Sequence, residues 1–253
     1  MADWNPKQYM RFEKQRTQPA KDLAIRVKDI CSPQKIVDIG CGPGNSTAVL
    51  KEIFTDAHII GIDNSSNMIE RASFEHPELT FELSDASQLT DKYDLIFSNA
   101  CLQWIPDHDS FIPLLISKLT DNGILAVQMP MNNSEPLYQL VAEIISEPKW
   151  ELDKAPAHVN KTLAPNEYFN ILSTCTSSFD IWETKYYHPL TNHTALVDWI
   201  KGTKLRPYLD YLGDERGTEL EAEILSRAKK LYPCMHNGEV LFGFRRLFFI
   251  ATK

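Results

Sequence analysis

Short apolar runs alternate with helical stretches between residues 35 and 130. The runs that predict strands are 35–39, 58–62, 79–83, 93–98 and 123–129. The segments between them that predict helices are 46–54, 65–75 and 108–119. This alternation is typical of repeated βαβ units around a parallel sheet. Because crossovers between parallel strands are right-handed, the carboxyl ends of the strands collect along one edge, where ligands of such sheets bind.

The flanking segments add helices and two more strands. The sequence predicts N-terminal helices at 5–15 and 18–30, with Thr17 as an N-cap and Pro19 in the first turn of the second. After residue 130 it predicts helices at 135–146 and 166–174, then β-rich segments at 179–187 and 239–251 that could pair antiparallel. Apolar and charged residues at helical spacing between 193 and 232 indicate a helical insert over the sheet edge.

The expected fold is therefore α/β, a doubly wound, Rossmann-like, mostly parallel seven-stranded sheet with one antiparallel strand and a helical cap. We expect a single domain over 1–253. Within it, 1–30 would cover the ligand, 31–130 would form the binding core and 188–238 would cap the site.

Composition narrows the classes of function. Lys and Arg total 26 against 34 Asp and Glu, giving a formal charge of −8, which repels nucleic acid. The five cysteines are scattered and never spaced as Cys-x-x-Cys, which argues against a disulfide framework and a thiolate metal site. No leader pattern and no run of 18 apolar residues is present, so we expect a cytoplasmic protein without a membrane or metal partner.

The most informative segment is a glycine turn after the first strand. The run from Ile36 to Ser46 has glycines at i, i+2 and i+4, unlike the i, i+2, i+5 dinucleotide fingerprint. Glycine lets the backbone turn sharply against a ligand, and the next helix offers unpaired N–H groups. With Asp38 placed to take up an ammonium group, the turn predicts a site for S-adenosylmethionine.

Acids also end the next two strands. Asp63 can accept both ribose hydroxyls, because two carboxylate oxygens match a vicinal diol. Asp85 could accept the adenine amino group, and Met68 would lie against the adenine face. The fourth strand ends at Asn99 and Ala100, under the sulfonium. The remaining candidates for cofactor binding are Gly40, Cys41, Gly42, Asn45, Asn64, Ser84 and Ala86.

Other classes of enzyme fit less well. An NAD-dependent oxidoreductase is disfavoured because the third glycine is displaced and no Tyr-x-x-x-Lys or Cys/His pair stands out. DNA methyltransferases carry an acid or Asn with Pro-Pro and an aromatic, or Pro-Cys, where this chain has Asn99-Ala100-Cys101-Leu102. Cys101 is therefore interpreted as a packed thiol, and the acceptor as a small molecule.

The chain resembles the trans-aconitate 2-methyltransferases over nearly its whole length. The resemblance is carried by Asp3 to Pro6 with Tyr9 and Arg16, Gly40 to Thr47, Leu102 to His108, Leu125 to Pro130, Asp180 to Trp182, Tyr186 to His188, Gly202 to Pro207 and Arg246 to Phe248. The glycine loop identifies only the class I superfamily, whereas the other segments are more specific. Residues 148–165 look less like the family, and this loop could alter the acceptor pocket.

The resemblance implies esterification of a carboxylate of a small polycarboxylic acid. A carboxylate is ionised at neutral pH, so no catalytic general base is required. Arginines would bind the carboxylates that do not react, and Tyr9 would close over the amino acid end of the cofactor. The candidates for acceptor binding are Arg16, Gln103, Trp104, Tyr186, Tyr187, His188, Trp199, Arg206 and Arg246. Esterification of a carrier-bound malonyl group and a non-catalytic cofactor-binding regulatory module remain alternatives.

Overall fold

The protein is built around a seven-stranded sheet, seen here in a computed structural model that describes residues 13–156 and 161–253. The strands are β1 (Lys35–Ile39), β2 (His58–Asp63), β3 (Thr80–Leu83), β4 (Tyr93–Asn99), β5 (Leu119–Pro130), β6 (Ser178–Leu190) and β7 (Val240–Thr252). Their order across the sheet is β3-β2-β1-β4-β5-β7-β6. β1 to β5 pair parallel throughout, so the predicted parallel core is confirmed.

β7 is the antiparallel strand. The Lys253 amide donates to the Gly123 carbonyl and the Met131 amide to the Arg245 carbonyl, so β5 and β7 run in opposite directions. The two β-rich segments, expected to pair antiparallel, are neighbours in the sheet as β6 and β7. The expected fold, a mostly parallel sheet with one antiparallel strand, is the observed one.

Where the structure describes them, the helices lie at or near the predicted positions, with one correction, and residues 5–12 of the first predicted helix lie outside the described residues. Within the described residues they are α1 (Glu13–Lys28), α2 (Asn45–Ile53), α3 (Ser66–Glu75), α4 (His108–Ser117), α5 (Pro136–Ile145), α6 (Pro165–Cys175), α7 (His193–Ile200) and α8 (Arg206–Leu231). The N-cap predicted at Thr17 is wrong, because α1 runs unbroken through Thr17 and Pro19. Its buried face, with Ala20 and Leu23 fully buried, continues past the proline, and this packing outweighs the lost backbone hydrogen bond.

Consecutive residues of the central strands are buried. Ile36 and Val37 of β1, and Leu95 and Ile96 of β4, have no exposed surface. Successive side chains of a strand point to opposite faces, so both faces of the sheet are covered. Full burial of each such side chain stabilises the fold by roughly 1.5–3 kcal/mol. The sheet is thus a firm support for the loops at its carboxyl edge.

The chain divides into two compact units. The first comprises the described residues of Met1–Pro130, Asn160–Thr184 and Leu247–Lys253 and contains β1 to β5. The second comprises those of Met131–Val159 and Lys185–Arg246, with α7 and α8. It includes the residues of the expected helical cap at 188–238 and also residues 131–156, which no sequence pattern groups with them. α8 is interrupted at Gly213, where the backbone has φ 74°.

Candidate cofactor site and acceptor residues

The glycine turn follows β1 and crosses to the end of β2. The Gly40 and Cys41 amides donate to the Ile62 carbonyl at 2.8 and 3.0 Å. Gly40 has φ +67°, and a Cβ there would lie 2.2 Å from Cys101 Sγ, so only glycine fits. A Cβ on Gly42, at φ +55°, would meet no atom within 4 Å. The turn therefore leaves open space beside Gly42, as a ligand-binding loop requires.

Asp38, on β1, is fully buried and anchors the helix that follows the turn. Its Oδ2 accepts hydrogen bonds from Ser46 Oγ at 2.6 Å and Thr47 Oγ1 at 2.7 Å. Its Oδ1 is buried and has no hydrogen-bond partner in the part of the chain that the structure describes. A buried acceptor without a partner is costly, so this oxygen suits a ligand's cationic donor.

Burial also changes the ionisation of Asp38. Desolvation and, to a smaller extent, the Asp63 charge raise the pKa of Asp38 to about 7, against the lowering effect of the hydrogen bonds from Ser46 and Thr47. The carboxyl is thus poised to titrate near neutral pH. A cation bound beside Oδ1 would favour the charged form.

Asp63, at the end of β2, holds the glycine turn and the start of α3. Its Oδ2 accepts from the Gly42 amide and its Oδ1 from the Ser65 amide, both at 2.9 Å. Each carboxylate oxygen can accept a further hydrogen bond, so these contacts leave capacity for a diol. Asp63 is partly exposed, unlike Asp38.

Asp85 caps the short helix after β3. Its Oδ1 accepts from the Ser87 amide at 2.8 Å and from Ser87 Oγ at 2.6 Å, and these bonds lower the pKa of Asp85. The carboxylate is therefore ionised at neutral pH. Its capping role does not exclude the predicted contact with adenine, because its Oδ2 can accept another donor.

Three carboxyl groups act electrostatically on Cys101. Burial and, to a smaller extent, the charges of Asp63, Asp38 and Asp85 raise the pKa of the Cys101 thiol to about 12. The sheet thus brings the three predicted acids into one electrostatic environment. It favours a cationic ligand and keeps Cys101 protonated, in line with its interpretation as a packed thiol.

The other predicted cofactor residues flank these acids. Met68 is buried on α3, Asn64 is exposed, and Ser84 and Ala86 are half-buried beside Asp85. Cys41 is buried and Asn45 begins α2. Asn99 Oδ1 is buried without a hydrogen-bond partner in the described residues. Tyr9 lies outside the described residues.

The turn after β4 has an unusual backbone. Ala100 has φ 56°, a left-handed conformation that is uncommon for residues other than glycine. Gln103 is buried, and its Nε2 donates to the Ala100 carbonyl at 2.6 Å. Trp104 is 40% exposed, so it is not plain core.

The second unit contains an aromatic cluster with a buried cation. The His188 ring stacks on Trp199 with centroids 4.8 Å apart, and Tyr186 lies parallel to it at 6.4 Å. The Arg246 guanidinium lies over the Phe244 ring, 4.5 Å from its centroid, and the residue is 4% exposed. Four acceptor candidates, Tyr186, His188, Trp199 and Arg246, are thus brought together.

His188 is neutral in this cluster. Desolvation, with a smaller effect of the Arg246 charge, lowers the pKa of His188 to about 4. Its Nε2 is buried without a hydrogen-bond partner in the described residues. A neutral imidazole with a free nitrogen beside an arginine can donate to a carboxylate oxygen.

The remaining acceptor candidates are placed differently. Arg206 is exposed and its Nε donates to Asp210 Oδ2 at 2.8 Å, one turn along α8. Tyr187 is 60% exposed. The side chain of Arg16 lies outside the described residues.

Sequence reasoning missed two sets of polar residues in the first unit. Ser46 and Thr47 fix Asp38, and hydroxyl side chains in the first turn after a glycine loop are a signal that could have shown this. His108 and Tyr168, 60 positions apart, hydrogen bond to each other in the core. No local pattern indicates such a pair.

Membrane-spanning helices and metal-binding clusters are both absent from the described residues. None of the helices in those residues combines the length and the hydropathy that a transmembrane span requires. No group of three or more His, Cys, Asp or Glu side chains in the same residues could hold a metal ion.

Comparison with known proteins identifies the family. A family model described as "Methyltransferase domain" matches residues 31–194. A trans-aconitate 2-methyltransferase of Methylobacterium radiotolerans is 40% identical, over 100% of this chain and 99% of its own. Another, of Yersinia pseudotuberculosis, is 41% identical over 99% of this chain and 98% of its own. The chain belongs to the trans-aconitate 2-methyltransferase family.

Solved structures confirm the fold of this family member. YcgJ of Bacillus subtilis matches with a TM-score of 0.62 at 16% identity, covering 93% of this chain and 98% of that one. The plantazolicin methyltransferase BpumL, in complex with SAH, matches with a TM-score of 0.55 at 15% identity, covering 98% and 90%. The chain thus has a methyltransferase fold, and the resemblance noted in its sequence is confirmed.

Proposed function

We propose that this protein transfers the methyl group of S-adenosylmethionine to a carboxylate of trans-aconitate, or of a similar small polycarboxylic acid, to give the monomethyl ester. The acceptor follows from the full-length similarity to relatives that carry this name. The observation that carries the cofactor is the buried Asp38 Oδ1, which has no partner among the described residues and lies beside the glycine turn.

The residues present fit this cofactor. Asp38 Oδ1 would accept from its ammonium group and Asp63 from its ribose hydroxyls, since Asp63 keeps unused lone pairs. The open space beside Gly42 lets the amino acid end approach the backbone closely. Three carboxylates around Cys101 would stabilise a ligand that carries ammonium and sulfonium charges.

Methyl transfer to a carboxylate depends on the orientation of the reacting atoms and requires no proton transfer. When bound, the cofactor supplies an electrophilic methyl carbon on a positively charged sulfur. The acceptor carboxylate, with an ordinary pKa of ~4, is already ionised at neutral pH, so no side chain has to remove a proton. The protein's task is to align one carboxylate oxygen and exclude water.

We infer that Arg246 and His188 bind carboxylates of the acceptor. Arg246 offers planar bidentate donors, and its burial removes the competition from water that weakens an exposed arginine. His188 is neutral at about pH 7, and its ring N–H can donate one hydrogen bond to a carboxylate oxygen. Arg206 is the weaker candidate because its side chain is exposed to water, whereas that of Arg246 is buried.

The acceptor assignment is tested by activity on a panel of acids. Purified protein with cofactor should form a methyl ester from trans-aconitate faster than from citrate, cis-aconitate or malonyl groups on a carrier protein. Ester formation from a carrier-bound malonyl group alone would refute the proposed acceptor. Calorimetric binding of cofactor with no ester from any acid would indicate a regulatory module.

The arginine assignment needs its own variants. Arg246→Lys keeps the charge but loses the bidentate geometry, and we expect it to raise the KM for the acid at least ~10-fold with little change in cofactor affinity. Arg216→Lys is the matched control, because the partly exposed Arg216 is paired with Glu151 outside the cluster. Equal changes in both variants, or equal loss of cofactor affinity in Arg246→Lys, would contradict the assignment.

We also propose that the protein works in the cytoplasm on a small molecule and not on nucleic acid. The five cysteines are free thiols, and the formal charge of −8 disfavours a polyanionic partner.

A further inference from the structure

A buried hydrogen-bonded pair supports the turn that follows β4. His108, the first residue of α4, is 2% exposed, and Tyr168 of α6 is fully buried. The His108 Nδ1 and the Tyr168 hydroxyl oxygen are 2.8 Å apart. All of these residues belong to the first unit.

The partners of this pair determine where its protons lie. His108 Nε2 is 2.8 Å from the Leu102 carbonyl oxygen, which can only accept, so Nε2 carries the hydrogen. In the neutral ring Nδ1 is then the acceptor, and the Tyr168 hydroxyl donates to it in preference to the weaker acceptor Met129 Sδ, 3.1 Å from the same oxygen. The Tyr168 oxygen in turn accepts from the Leu163 amide at 3.2 Å. This arrangement gives a partner to every donor and acceptor in the series of hydrogen bonds from the Leu102 carbonyl to the Leu163 amide.

This series of hydrogen bonds ends at backbone atoms of two segments, the turn Leu102–Trp104 and the residues before α6. The two segments are also joined directly. The Gln103 carbonyl accepts from the Lys161 amide at 2.8 Å. Within the turn, Gln103 Nε2 donates to the Ala100 carbonyl. The turn Leu102–Trp104 is therefore held by hydrogen bonds to His108 and to the Lys161 amide, and Gln103 links it to Ala100.

Ala100 needs such a constraint. A left-handed backbone is strained for a residue with a Cβ, so this conformation persists only where its surroundings enforce it. It lies at the carboxyl end of β4, the edge where parallel sheets bind ligands. A buried apolar pair would fill the same core without desolvating polar groups, so packing alone does not account for a histidine and a tyrosine here.

We propose that His108 and Tyr168 are positioning residues for methyl transfer: they fix the Leu102–Trp104 turn and, through Gln103, the left-handed Ala100 beside the reacting groups. This inference rests on the proposed function, because it needs a reaction at the end of β4. It assigns no contact with substrate to either residue. Their effect is on alignment, where small displacements cost much rate.

Tyr168→Phe removes only the hydroxyl. We expect kcat for ester formation to fall about 10-fold or more, while the cofactor Kd, measured by calorimetry, changes less than about threefold. Tyr232→Phe is the matched control, because the half-buried Tyr232 hydroxyl also accepts a hydrogen bond from a backbone amide, that of Leu137 at 3.1 Å. This variant should leave kcat within about twofold of the wild-type value.

Two histidine variants separate positioning from stability. The terminal amide of His108→Gln can still donate to the Leu102 carbonyl, whereas His108→Asn can reach only Tyr168. We expect His108→Gln to retain most of kcat and His108→Asn to resemble Tyr168→Phe, at a temperature where thermal unfolding shows all variants folded. A purely structural role would instead rank kcat by melting temperature.

The outcomes are distinguishable. Absence of ester in the wild type would refute the proposed function, and this inference would fall with it. If the wild type methylates trans-aconitate and Tyr168→Phe does so with the same kcat, the positioning role is refuted and the proposed function stands. A cofactor Kd that weakens by the same factor as kcat falls, or equal kcat in the two histidine variants, would also refute the positioning role.

Discussion

Asp38→Asn should make the unliganded protein more stable at alkaline pH. The folded protein holds the pKa of Asp38 at about 7 against an ordinary value of 3.8, mainly by burial. The folded state therefore keeps a proton that the unfolded chain releases, and the free energy of unfolding falls as pH rises from about 4 to about 7. The loss between pH 5 and pH 8 is roughly 2.5 kcal/mol at 1.36 kcal/mol per pKa unit.

The asparagine has no charge to desolvate, and its carbonyl oxygen can still accept from Ser46 and Thr47. Relative to the wild type, the variant should thus gain roughly 2.5 kcal/mol between pH 5 and pH 8, measured by urea unfolding. Asp85→Asn is the control. The pKa of Asp85 is lowered, so its contribution is complete above the ordinary value of 3.8 and its effect should be constant across this range. Parallel pH profiles for wild type and Asp38→Asn would refute the reasoning.

The same carboxyl should make cofactor affinity depend on pH. If an ammonium group binds at Asp38 Oδ1, binding requires the ionised form, and affinity should rise about 15-fold from pH 5.5 to pH 7. This window lies below the titration of the ligand's own amine. Calorimetry on Asp38→Asn should give weaker binding that does not vary over this range. A wild-type affinity independent of pH would contradict the proposed contact.

Three further outcomes follow from the site. Gly40→Ala should destabilise the protein by about 2–4 kcal/mol in thermal unfolding, because its Cβ would meet Cys101. Cys101→Gly should rescue part of this loss, whereas Cys101→Ala should not, since its Cβ stays 2.4 Å from the new one. Cys101→Ala alone should keep kcat within about threefold, as expected for a packed thiol with no role as nucleophile; complete loss of ester formation would contradict that interpretation. Removal of divalent metals by a chelator should leave ester formation unchanged, and inhibition reversed by added metal would overturn this expectation.

The sequence predicted the elements that depend on local pattern. The strand, glycine turn and helix around Asp38 follow from a buried apolar run and from glycines in positions that need positive φ. The three acids could be grouped because the carboxyl ends of parallel strands meet at one edge. These inferences need only neighbouring residues and the rules of sheet topology.

Other features depend on contacts between distant residues. Arg246 is buried and Arg206 is exposed. Both are flanked by apolar or aromatic residues in the sequence, so the local pattern does not reveal this difference. The bond between His108 and Tyr168 joins two helices without a shared motif. At Thr17 the local pattern suggested a helix start, but tertiary packing of α1 carried the helix through it.

The division of the chain into units has a consequence for how the protein folds during synthesis. The first unit is assembled from three stretches, and the last, Leu247–Lys253, supplies the end of β7. The second unit draws all its residues from before position 247. Synthesis proceeds from the N-terminus, so the second unit is available in full while the unit with the glycine turn still lacks one strand segment. A chain truncated after Arg246 should therefore be deficient in cofactor binding, even though it contains every predicted cofactor ligand.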